Sequence, residues 1–377
     1  MSFPQLNRPT FAHIDLEALA FNLKSVRDFI RDGIKVMAVV KANAYGHGAV
    51  ECSKRLEAEG INWLGVALVE EALELRKAGV RTPILCLGSF WPEQQDALFE
   101  NDLTPAVFDL DSAELLDRFA ARNGNAKNVH VNIDTGMGRL GVPYQSLAEW
   151  VDRFAEFKNL HVEGLMTHFA AADDLNNDHT SVQMRRFAEA VSIFHAKGFR
   201  PTILDMANSP GAVAYQDSRA TMVRIGGLLY GLGDDVLPTG IERPNLKPVM
   251  SLHSRIAYLK NVPTGESIGY GRTFTTARES AIATVPIGYH DGLRRCLSNK
   301  GTMLVNGRSA PIVGRISMDW TTLDVTDISD VKIGDEVVIT GSQGNLQIKT
   351  EQIAAKCDTI SYEITCGISS RVPRLYI

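Results

Sequence analysis

The chain contains little cysteine and has no C-x-x-C pair. Its 377 residues include five cysteines, which are scattered along the sequence. An odd number of widely spaced cysteines is typical of reduced thiols, and it argues against a disulfide framework or a structural zinc site. We therefore expect a cytoplasmic protein that holds no metal.

Long apolar runs are also missing. No stretch approaches the ~18–20 apolar residues that a membrane-spanning helix needs. The first residues, MSFPQLNRPTFAHIDL, do not combine a basic start with an apolar core, so we expect no secretory signal. Both observations lead us to expect no membrane partner.

The charged residues show no excess of positive charge that would favour nucleic acid as a partner. Lysine and arginine number 39 against 44 acidic residues, which gives a net charge of −5. Hydrophobic residues make up 45% of the chain and charged residues 22%, proportions that are typical of a folded globular protein. The length favours an enzyme with one large domain and a second one.

Eight short runs rich in β-branched residues alternate with helical patterns over the first 235 residues. This is the strand count of a (β/α)8 TIM-type barrel, whereas the alternative, a doubly wound open sheet, more often stops at five or six strands. The predicted strands span residues 36–40, 62–67, 83–88, 104–108, 128–133, 161–168, 202–206 and 222–225.

Two helices show clear end signals. Asp15 is expected to cap a helix before the first strand, in which apolar residues recur at three- and four-residue steps through Ile30. Asp111 is expected to cap a helix that ends before Gly124.

The sequence pattern changes after the proline-rich segment 237–248. Residues 249–348 form short alternating runs separated by glycine-containing turns, followed by a single predicted helix near 350–357. We therefore predict a barrel domain over residues 1–240 and a mostly β domain over residues 241–377.

Polar residues follow several of the predicted barrel strands, at the end of the barrel where such folds carry their chemistry. Lys41 follows four apolar residues of the first barrel strand. A solvated surface lysine is the commonest reading of such a position. A partly desolvated lysine at the barrel mouth, however, has a lowered pKa and acts as a nucleophile that forms Schiff bases.

The loops after the seventh and eighth strands are where such barrels commonly hold phosphate. Asn208 and Ser209 precede a short helix, and Gly226 and Gly227 follow the eighth strand, where exposed backbone N–H groups suit a phosphate monoester. A helix cap and a tight turn are the purely structural readings of these residues.

One motif in the chain points to a different cofactor. Gly136, Gly138 and Gly141 match the dinucleotide fingerprint G-x-G-x-x-G, but they follow the fifth strand, and Pro143 interrupts the turn. No G-x-S-x-G, Walker or H-E-x-x-H motif is present, so the sequence does not favour a hydrolase, a nucleotidase or a zinc protease.

Nine segments together resemble the alanine racemases, over residues 10 to 375. The likeness implies a barrel that binds pyridoxal 5′-phosphate (PLP), a C-terminal β domain, and a head-to-tail homodimer whose subunits share active sites. The segments are VVKANAYGHG, IDTGMGRLGV, THFAAAD, ANS, MVRIGGLLYGL, GYGRTF, PIGYHDG, VGRISMDW and SSRVPR.

The resemblance also assigns roles. The catalytic residues would be Lys41, which carries PLP, and Tyr270, which comes from the other subunit. The cofactor would be held by Lys41, Tyr45, His168, Asn208, Ser209, Arg224, Gly226 and Gly227. The substrate would meet Arg139, Met318 and Asp319. The corridor leading to the site would include Asp173, Tyr289, Arg294 and Arg315.

These roles fit the chemistry of inverting an amino-acid Cα centre. The Cα proton is too weakly acidic for a side-chain base alone, and conjugation to PLP makes it removable. Inversion needs one acid–base group on each face, which would be Lys41 and Tyr270. The resemblance implies racemisation of L- and D-alanine, with D-alanine supplied for peptidoglycan in the cell wall.

Two positions depart from the family pattern. Many members carry a carbamylated lysine where this chain has Asn132, so the negative partner of Arg139 is missing, and we predict a chloride ion between the two. A tyrosine usually stands at the position of Ser370, and we predict that serine there leaves room for substrates slightly larger than alanine, such as serine. The alternative is a neutral change with water in the gap.

Two other functions remain possible from the sequence. A non-catalytic PLP carrier would share the lysine turn but lack the C-terminal domain and the Tyr270 segment. A decarboxylase of related architecture would favour a carboxylate at the pyridine nitrogen, where the resemblance places Arg224.

Overall fold

The computed structural model describes residues 8–377, and its first part is a closed parallel barrel. Eight of its strands pair in chain order, and the contact between β5 and β6 closes the ring. The eight are those predicted from the sequence, and a short extra strand, β7, pairs with β6. The strands of this part are β1 (Phe11–Ile14), β2 (Lys35–Val39), β3 (Trp63–Val66), β4 (Ile84–Cys86), β5 (Leu103–Val107), β6 (Lys127–Asp134), β7 (Val142–Pro143), β8 (Leu160–Met166), β9 (Ile203–Asp205) and β10 (Met222–Ile225).

Most of the helices of this part cover the outside of the barrel. The helices are α1 (Leu16–Ile30), α2 (Lys41–Tyr45), α3 (Ala49–Ala58), α4 (Val69–Lys77), α5 (Gln95–Glu100), α6 (Leu110–Asn123), α7 (Leu147–Phe154), α8 (His179–Ala196) and α9 (Ser209–Ala214). Of these, α2 and α9 lie at the barrel mouth. None of the helices within residues 8–377 combines the length and the apolarity that crossing a bilayer requires.

One of the two predicted helix starts is confirmed. The Asp15 carboxylate accepts a hydrogen bond from Ala18 N at 2.8 Å, at the start of α1. The prediction for Asp111 was wrong, because α6 begins earlier and Asp109 caps it by accepting from Ser112 N at 2.7 Å. Gly124 ends α6 in the left-handed conformation.

The second part of the chain is mostly β, as predicted. Its strands are β11 (Met250–Arg255), β12 (Tyr258–Val262), β13 (Ser267–Ile268), β14 (Phe274–Thr275), β15 (Ser280–Val285), β16 (Thr302–Val305), β17 (Arg308–Pro311), β18 (Thr321–Asp324), β19 (Glu336–Gln343), β20 (Leu346–Ile348) and β21 (Arg374–Tyr376). The prediction of a single helix was wrong, since α10 (Thr350–Lys356) is followed by α11 (Ser361–Cys366).

Strand β1 joins the sheet of this second part. It pairs antiparallel with β11 and parallel with β21, so the main sheet runs β17-β16-β19-β11-β1-β21. Strands β12, β15 and β18 form a smaller sheet, and β13 pairs with β14. A division of the chain at residue 240 stays a prediction, and β1 extends the second sheet from the other side of that division.

The barrel interior is closed by apolar side chains beneath its mouth. Met37, Leu85, Ala106 and Met222 are fully buried there, and Trp63, Met166 and Ile203 pack with them. Burial of such side chains stabilises the fold by about 1.5–3 kcal/mol for each large residue. This apolar layer gives the polar residues above it a dry and rigid floor.

Candidate active site

A cavity of about 530 Å³ opens at the carboxyl ends of the barrel strands. Its walls combine loops of the barrel with helix α11 of the second part. Eleven of the residues predicted for the site line it: Lys41, Tyr45, Asn132, Arg139, His168, Asp173, Asn208, Ser209, Arg224, Gly226 and Gly227.

Lys41 stands directly after β2, at the edge of this cavity. Burial lowers the pKa of its amine, and the charges of Arg139 and Arg224 lower it further, while Glu71 opposes the shift. A lysine with a lowered pKa is more often neutral and therefore nucleophilic. The position supports the interpretation of Lys41 as the residue that carries a cofactor.

The segment α2, which begins at Lys41, is a left-handed turn. Ala42, Asn43, Ala44 and Tyr45 all have φ near +53° to +54°, which costs about 1–2 kcal/mol for each non-glycine residue. The turn is held by Gly46 N, which donates to Ala42 O at 2.9 Å. Strained backbone of this kind is concentrated at functional sites, where surrounding structure maintains it.

Tyr45, at the end of this turn, forms a cradle in the cavity wall together with Ser209, Gly226 and Gly227. Gly226 N donates to Ser209 Oγ at 3.1 Å. A Cβ added to Gly226 would overlap Tyr45 Oη, and one added to Gly227 would overlap the ring of Tyr362. Neither position therefore has room for a side chain, so both must be glycine.

Asn208 supports the cradle from the side. Its Oδ1 accepts from Gly211 N at 3.1 Å and so caps α9, whose first residue is Ser209. The cap confirms the structural reading of Asn208. The same turn also directs Ser209 toward Gly226.

Arg224 is buried at the base of the cavity. Its Nη2 donates to Thr167 O at 2.6 Å and to His168 Nδ1 at 3.2 Å, and its Nη1 donates to Asp205 O at 3.2 Å. The hydrogen bonds of Arg224 within the described residues all leave from Nη1 and Nη2. Its Nε is therefore the donor that remains for a ligand in the cavity.

His168 is neutral at neutral pH. Burial lowers its pKa to about 3, and the charges of Arg224, Arg139 and Lys41 act in the same direction. Arginine can only donate, so Nδ1 accepts from Arg224 and the hydrogen must lie on Nε2. The hydrogen bond thus links His168 to Arg224 at the base of the cavity.

Arg139 and Asn132 both line the cavity, as predicted, but they lack partners there. Arg139 is exposed and forms no ion pair within residues 8–377. Asn132 is buried on β6, and its Oδ1 has no hydrogen-bond donor in the same part of the chain. A cationic group and an unpaired buried amide thus face the same space.

The residues predicted from the second part of the chain do not line the cavity. Tyr270 is 72% exposed and Met318 is 50% exposed, while Asp319 pairs with Arg371 at 2.8 Å. The other predicted residues that do not line the cavity are Tyr289, Arg294 and Arg315. Arg294 is linked to the cavity indirectly, because its Nη2 lies 2.9 Å from the carboxylate of the lining residue Glu363.

Several lining residues were missed in the sequence. Tyr362, Glu363 and Cys366 come from α11, which immediately precedes the SSRVPR segment. Burial raises the pKa of the Tyr362 hydroxyl, and its ring packs edge-on against Tyr45 with centroids 5.1 Å apart. The nearby RVPR motif was the available signal. Ser370, the other departure, is exposed and does not line the cavity.

Asp205 was also missed. It is fully buried on β9, and its Oδ1 lies 2.6 Å from Arg224 Nη1. Burial raises the pKa of this carboxyl to about 6, and Arg224 opposes that rise. A single acid within the apolar run ILDM was the sequence signal for a buried charge.

A barrel whose mouth holds a lysine of lowered pKa, a glycine cradle and a buried arginine has the features of the barrel-type PLP enzymes. Two family models match the chain: "Alanine racemase, N-terminal domain" over residues 14–234 and "Alanine racemase, C-terminal domain" over residues 249–376. The chain belongs to the alanine racemase family, whose members are isomerases that use PLP.

Relatives and solved structures agree with this membership. The alanine racemase of Halothermothrix orenii is 45% identical over 99% of this chain and 98% of its own, and that of Geobacter sulfurreducens is 42% identical over 98% of each. The alanine racemase structure of Clostridium difficile has a TM-score of 0.91 at 37% identity and covers 99% and 97% of the two chains.

The structure of alanine racemase from Bartonella henselae with covalently bound pyridoxal phosphate has a TM-score of 0.87 at 29% identity. It covers 98% of this chain and 99% of its own. The predicted family, fold, enzyme class and cofactor are confirmed by these comparisons. The carrier and decarboxylase alternatives are not supported, since both racemase domains are present.

Proposed function

We propose that this enzyme interconverts L-alanine and D-alanine with Lys41 and Tyr270 as its two acid–base groups. The observation that carries the proposal is Lys41 itself, a partly buried amine of lowered pKa that lines the same cavity as the glycine cradle. When bound, PLP supplies a conjugated ring that takes up the electrons left after the Cα proton is removed.

The residues of the cavity fit this cofactor. Because Gly226 and Gly227 lack a Cβ, the Tyr45 hydroxyl and the Tyr362 ring approach the backbone after β10 closely, on the cavity wall where a phosphate would lie. Arg224 would meet the ring nitrogen through its free Nε donor. Since a guanidinium does not lose its proton, it keeps that nitrogen unprotonated.

Lys41 holds and moves a proton on one face of the substrate Cα, and Tyr270 does so on the other. In a single chain Tyr270 is 72% exposed and outside the cavity of that chain. The proposal therefore requires a homodimer in which Tyr270, Met318 and Asp319 of each subunit complete the site of the other.

An exposed apolar cluster supports this dimer. Tyr270, Tyr289, Met318 and Trp320 are each between 42% and 72% exposed. The segments that carry the last three are bonded to one another, with Tyr289 N donating to Ser317 O and Ser317 N to Trp320 O, both at 3.0 Å. Apolar residues gathered in this way favour a protein interface.

We also propose that a chloride ion lies between Asn132 and Arg139. The Asn132 amide faces the cavity beside an arginine without a carboxylate partner. An anion would offset the charge of Arg139 and keep that side chain in place. Crystals grown with bromide should show anomalous density at this position, and a peak-free map would contradict the proposal.

The tolerance of serine as a substrate stays a proposal that rests on Ser370. This residue does not line the cavity of its own chain, so its effect must come through neighbouring residues. If the smaller side chain admits serine, Ser370→Tyr should lower turnover of serine more than that of alanine. Equal effects on both substrates would contradict it.

We place the reaction in the cytoplasm, where it supplies D-alanine for the peptidoglycan of the cell wall. The support is the scattered reduced thiols and the family membership. Expression of the chain in a D-alanine-requiring bacterium should remove that requirement. Continued dependence on added D-alanine, with the protein present and loaded with PLP, would contradict this role.

A chiral assay tests the function directly. The PLP-loaded enzyme given L-alanine should form D-alanine until the two are equal, and Lys41→Ala should form none above background. The variant Lys24→Ala, on the exposed side of α1, serves as the control and should match the unmodified enzyme. Absence of D-alanine from the PLP-loaded enzyme would contradict the proposal.

A further inference from the structure

The most unusual charges inside the barrel are Arg224 and Asp205, which form a buried ion pair. Their side chains are 3% and 0% exposed, and Arg224 Nη1 lies 2.6 Å from Asp205 Oδ1. A buried carboxylate is unfavourable unless it is compensated. Its presence beneath the cofactor cavity therefore needs an explanation beyond packing.

Orientation of Arg224 is already provided by other groups. Two backbone carbonyls, of Thr167 and Asp205, and the ring of His168 accept hydrogen bonds from the guanidinium. The contact with the Asp205 carboxylate has the length of a hydrogen bond but not its alignment. The particular contribution of this carboxylate is therefore its charge.

In the described part of the chain, the two histidines that lie next to the pair supply no negative charge. His168, at the end of β8, and His130, on β6, are neutral, because burial lowers the pKa of each to about 3. The nearest charged groups on the cavity side, Lys41 and Arg139, are cationic. Within residues 8–377, Asp205 is thus the carboxylate that offsets the charge of Arg224.

We propose that Asp205 is a positioning residue that acts through Arg224, by cancelling its charge and so limiting how strongly the site draws electrons toward the ring nitrogen of the cofactor. This inference rests on the proposed function. A lone guanidinium stabilises nearby negative charge more than a neutral ion pair does. The neutral pair thus favours prompt return of the proton to Cα over competing reactions.

The competing reaction offers a readout that racemisation does not. If the proton taken from Cα is delivered to the aldehyde carbon of the cofactor, the amino group stays on the cofactor. Water would then hydrolyse the bond between the amino nitrogen and the former Cα, so that alanine and PLP end as pyruvate and pyridoxamine phosphate, and no other oxidant or reductant is needed. The ratio of pyruvate to D-alanine therefore measures how the site partitions the proton.

The variant Asp205→Asn removes the charge and keeps an oxygen acceptor of the same size. We expect this ratio to rise about tenfold, since an uncompensated cation faces the ring. Asp117→Asn is the control, because Asp117 is a half-buried carboxylate on α6 that accepts from Asn159 N at 2.7 Å, outside the cavity. Its ratio should equal that of the unmodified enzyme.

The affinity of the apoprotein for PLP distinguishes two roles of Asp205: a role of its negative charge, and a purely structural role in holding Arg224 in place. If Asp205 acts by its charge, Asp205→Asn should bind the anionic cofactor at least as tightly as the unmodified chain. If Asp205 only holds Arg224 in place, the dissociation constant should rise tenfold or more. That rise, or an unchanged ratio of pyruvate to D-alanine, would overturn the proposal.

The unmodified enzyme provides a second test that does not depend on whether the variant folds. Because the pKa of Asp205 is raised to about 6, the carboxylate is lost as the pH falls through that value. As the pH falls through that value, the ratio of pyruvate to D-alanine made by the unmodified enzyme should rise toward the ratio of Asp205→Asn. The ratio of Asp205→Asn itself should not change with pH over this range. A flat profile in the unmodified enzyme would overturn the proposal, whereas absence of D-alanine at every pH would instead contradict the proposed function.

Discussion

At the scale of single residues, the site is a concentration of positive charge in a partly dry space. Burial lowers the pKa of Lys41, and the charges of Arg139 and Arg224 lower it further. Of these three cations, Arg224 is the one that pairs with a carboxylate within residues 8–377. Unpaired charge in a partly buried site costs stability, and functional sites commonly carry such a cost.

We predict that Lys41→Met stabilises the apoprotein. The change removes a buried cation and keeps the length of the side chain, so the thermal midpoint should rise by about 2 °C. The matched control is Lys24→Met on the exposed face of α1, where no change is expected. A lower midpoint for Lys41→Met than for the unmodified apoprotein would contradict this account.

The difference in thermal midpoint between Lys41→Met and the unmodified apoprotein should depend on pH, because the pKa of Lys41 is lowered. The folded chain releases the proton at a lower pH than the unfolded chain, whose lysine titrates near 10.5. The burial penalty is therefore complete below the lowered pKa and disappears as the pH rises toward 10.5. The midpoint difference should narrow over the same range in scanning calorimetry.

The phosphate cradle makes a steric prediction. In Gly226→Ala the new Cβ would overlap Tyr45 Oη, so the apoprotein should bind PLP at least tenfold more weakly. Gly233→Ala is the control, since a Cβ there would be 3.3 Å from Leu237 and outside the cavity. Equal PLP dissociation constants in the two variants would show that the cradle does not lie at Gly226.

Single residues of the site differed in how well they could be predicted. Lys41 and Gly226 stand at strand ends in recognisable segments, and the structure brings both to the cavity. Tyr362 lies more than 300 residues from Lys41, and no local pattern links the two. Asp205 could be recognised as an acid in an apolar run. Its pairing with Arg224 could not be predicted, because contacts between side chains on neighbouring strands depend on the register of the two strands.

At the scale of elements, the left-handed turn α2 is the least ordinary part of the fold. The Cβ atom makes the left-handed conformation unfavourable for residues other than glycine. Ala42 adopts that conformation although its side chain is exposed to solvent. The turn directs Lys41 and Tyr45 into the same cavity. Its conformation is therefore tied to function and not to local preference.

We predict that Ala42→Gly stabilises the apoprotein by about 0.5 kcal/mol, because glycine adopts positive φ without strain. The matched control is Ala188→Gly, which removes the same atom from an exposed position in the right-handed helix α8 and should destabilise by about 1 kcal/mol. Urea unfolding measures both, and two changes of the same sign would contradict the account.

The prediction of elements was accurate for strands and weaker for helix ends. All eight barrel strands were found, because buried parallel strands are continuous apolar runs. The start of α6 was placed at Asp111 although Asp109 also has a capping side chain, and composition cannot rank two such residues. The short helix α11 was missed because six residues carry too little periodicity.

At the scale of the whole molecule, closure of the barrel could be predicted from the sequence. The addition of β1 to the sheet of the second part could not. Eight alternating units specify a barrel because each strand pairs with the next. Strand β1, in contrast, pairs with residues 250–253, more than 230 positions away. Four residues contain no information on so distant a partner.

In the proposed dimer, one chain supplies Lys41 to each active site and its partner supplies Tyr270. Two observations support it, namely the lysine in the cavity and the tyrosine exposed outside it. The exposed cluster around Tyr289, Met318 and Trp320 gives the second chain an apolar surface to contact.

The most direct measurement uses a hybrid dimer. Lys41→Ala and Tyr270→Ala chains, each inactive alone, are co-expressed with different affinity tags, and dimers that carry both tags are purified. Such a dimer has one complete site and one doubly defective site, so it should form D-alanine at about half the rate of the unmodified enzyme. A hybrid as inactive as the two parent variants would contradict a shared site.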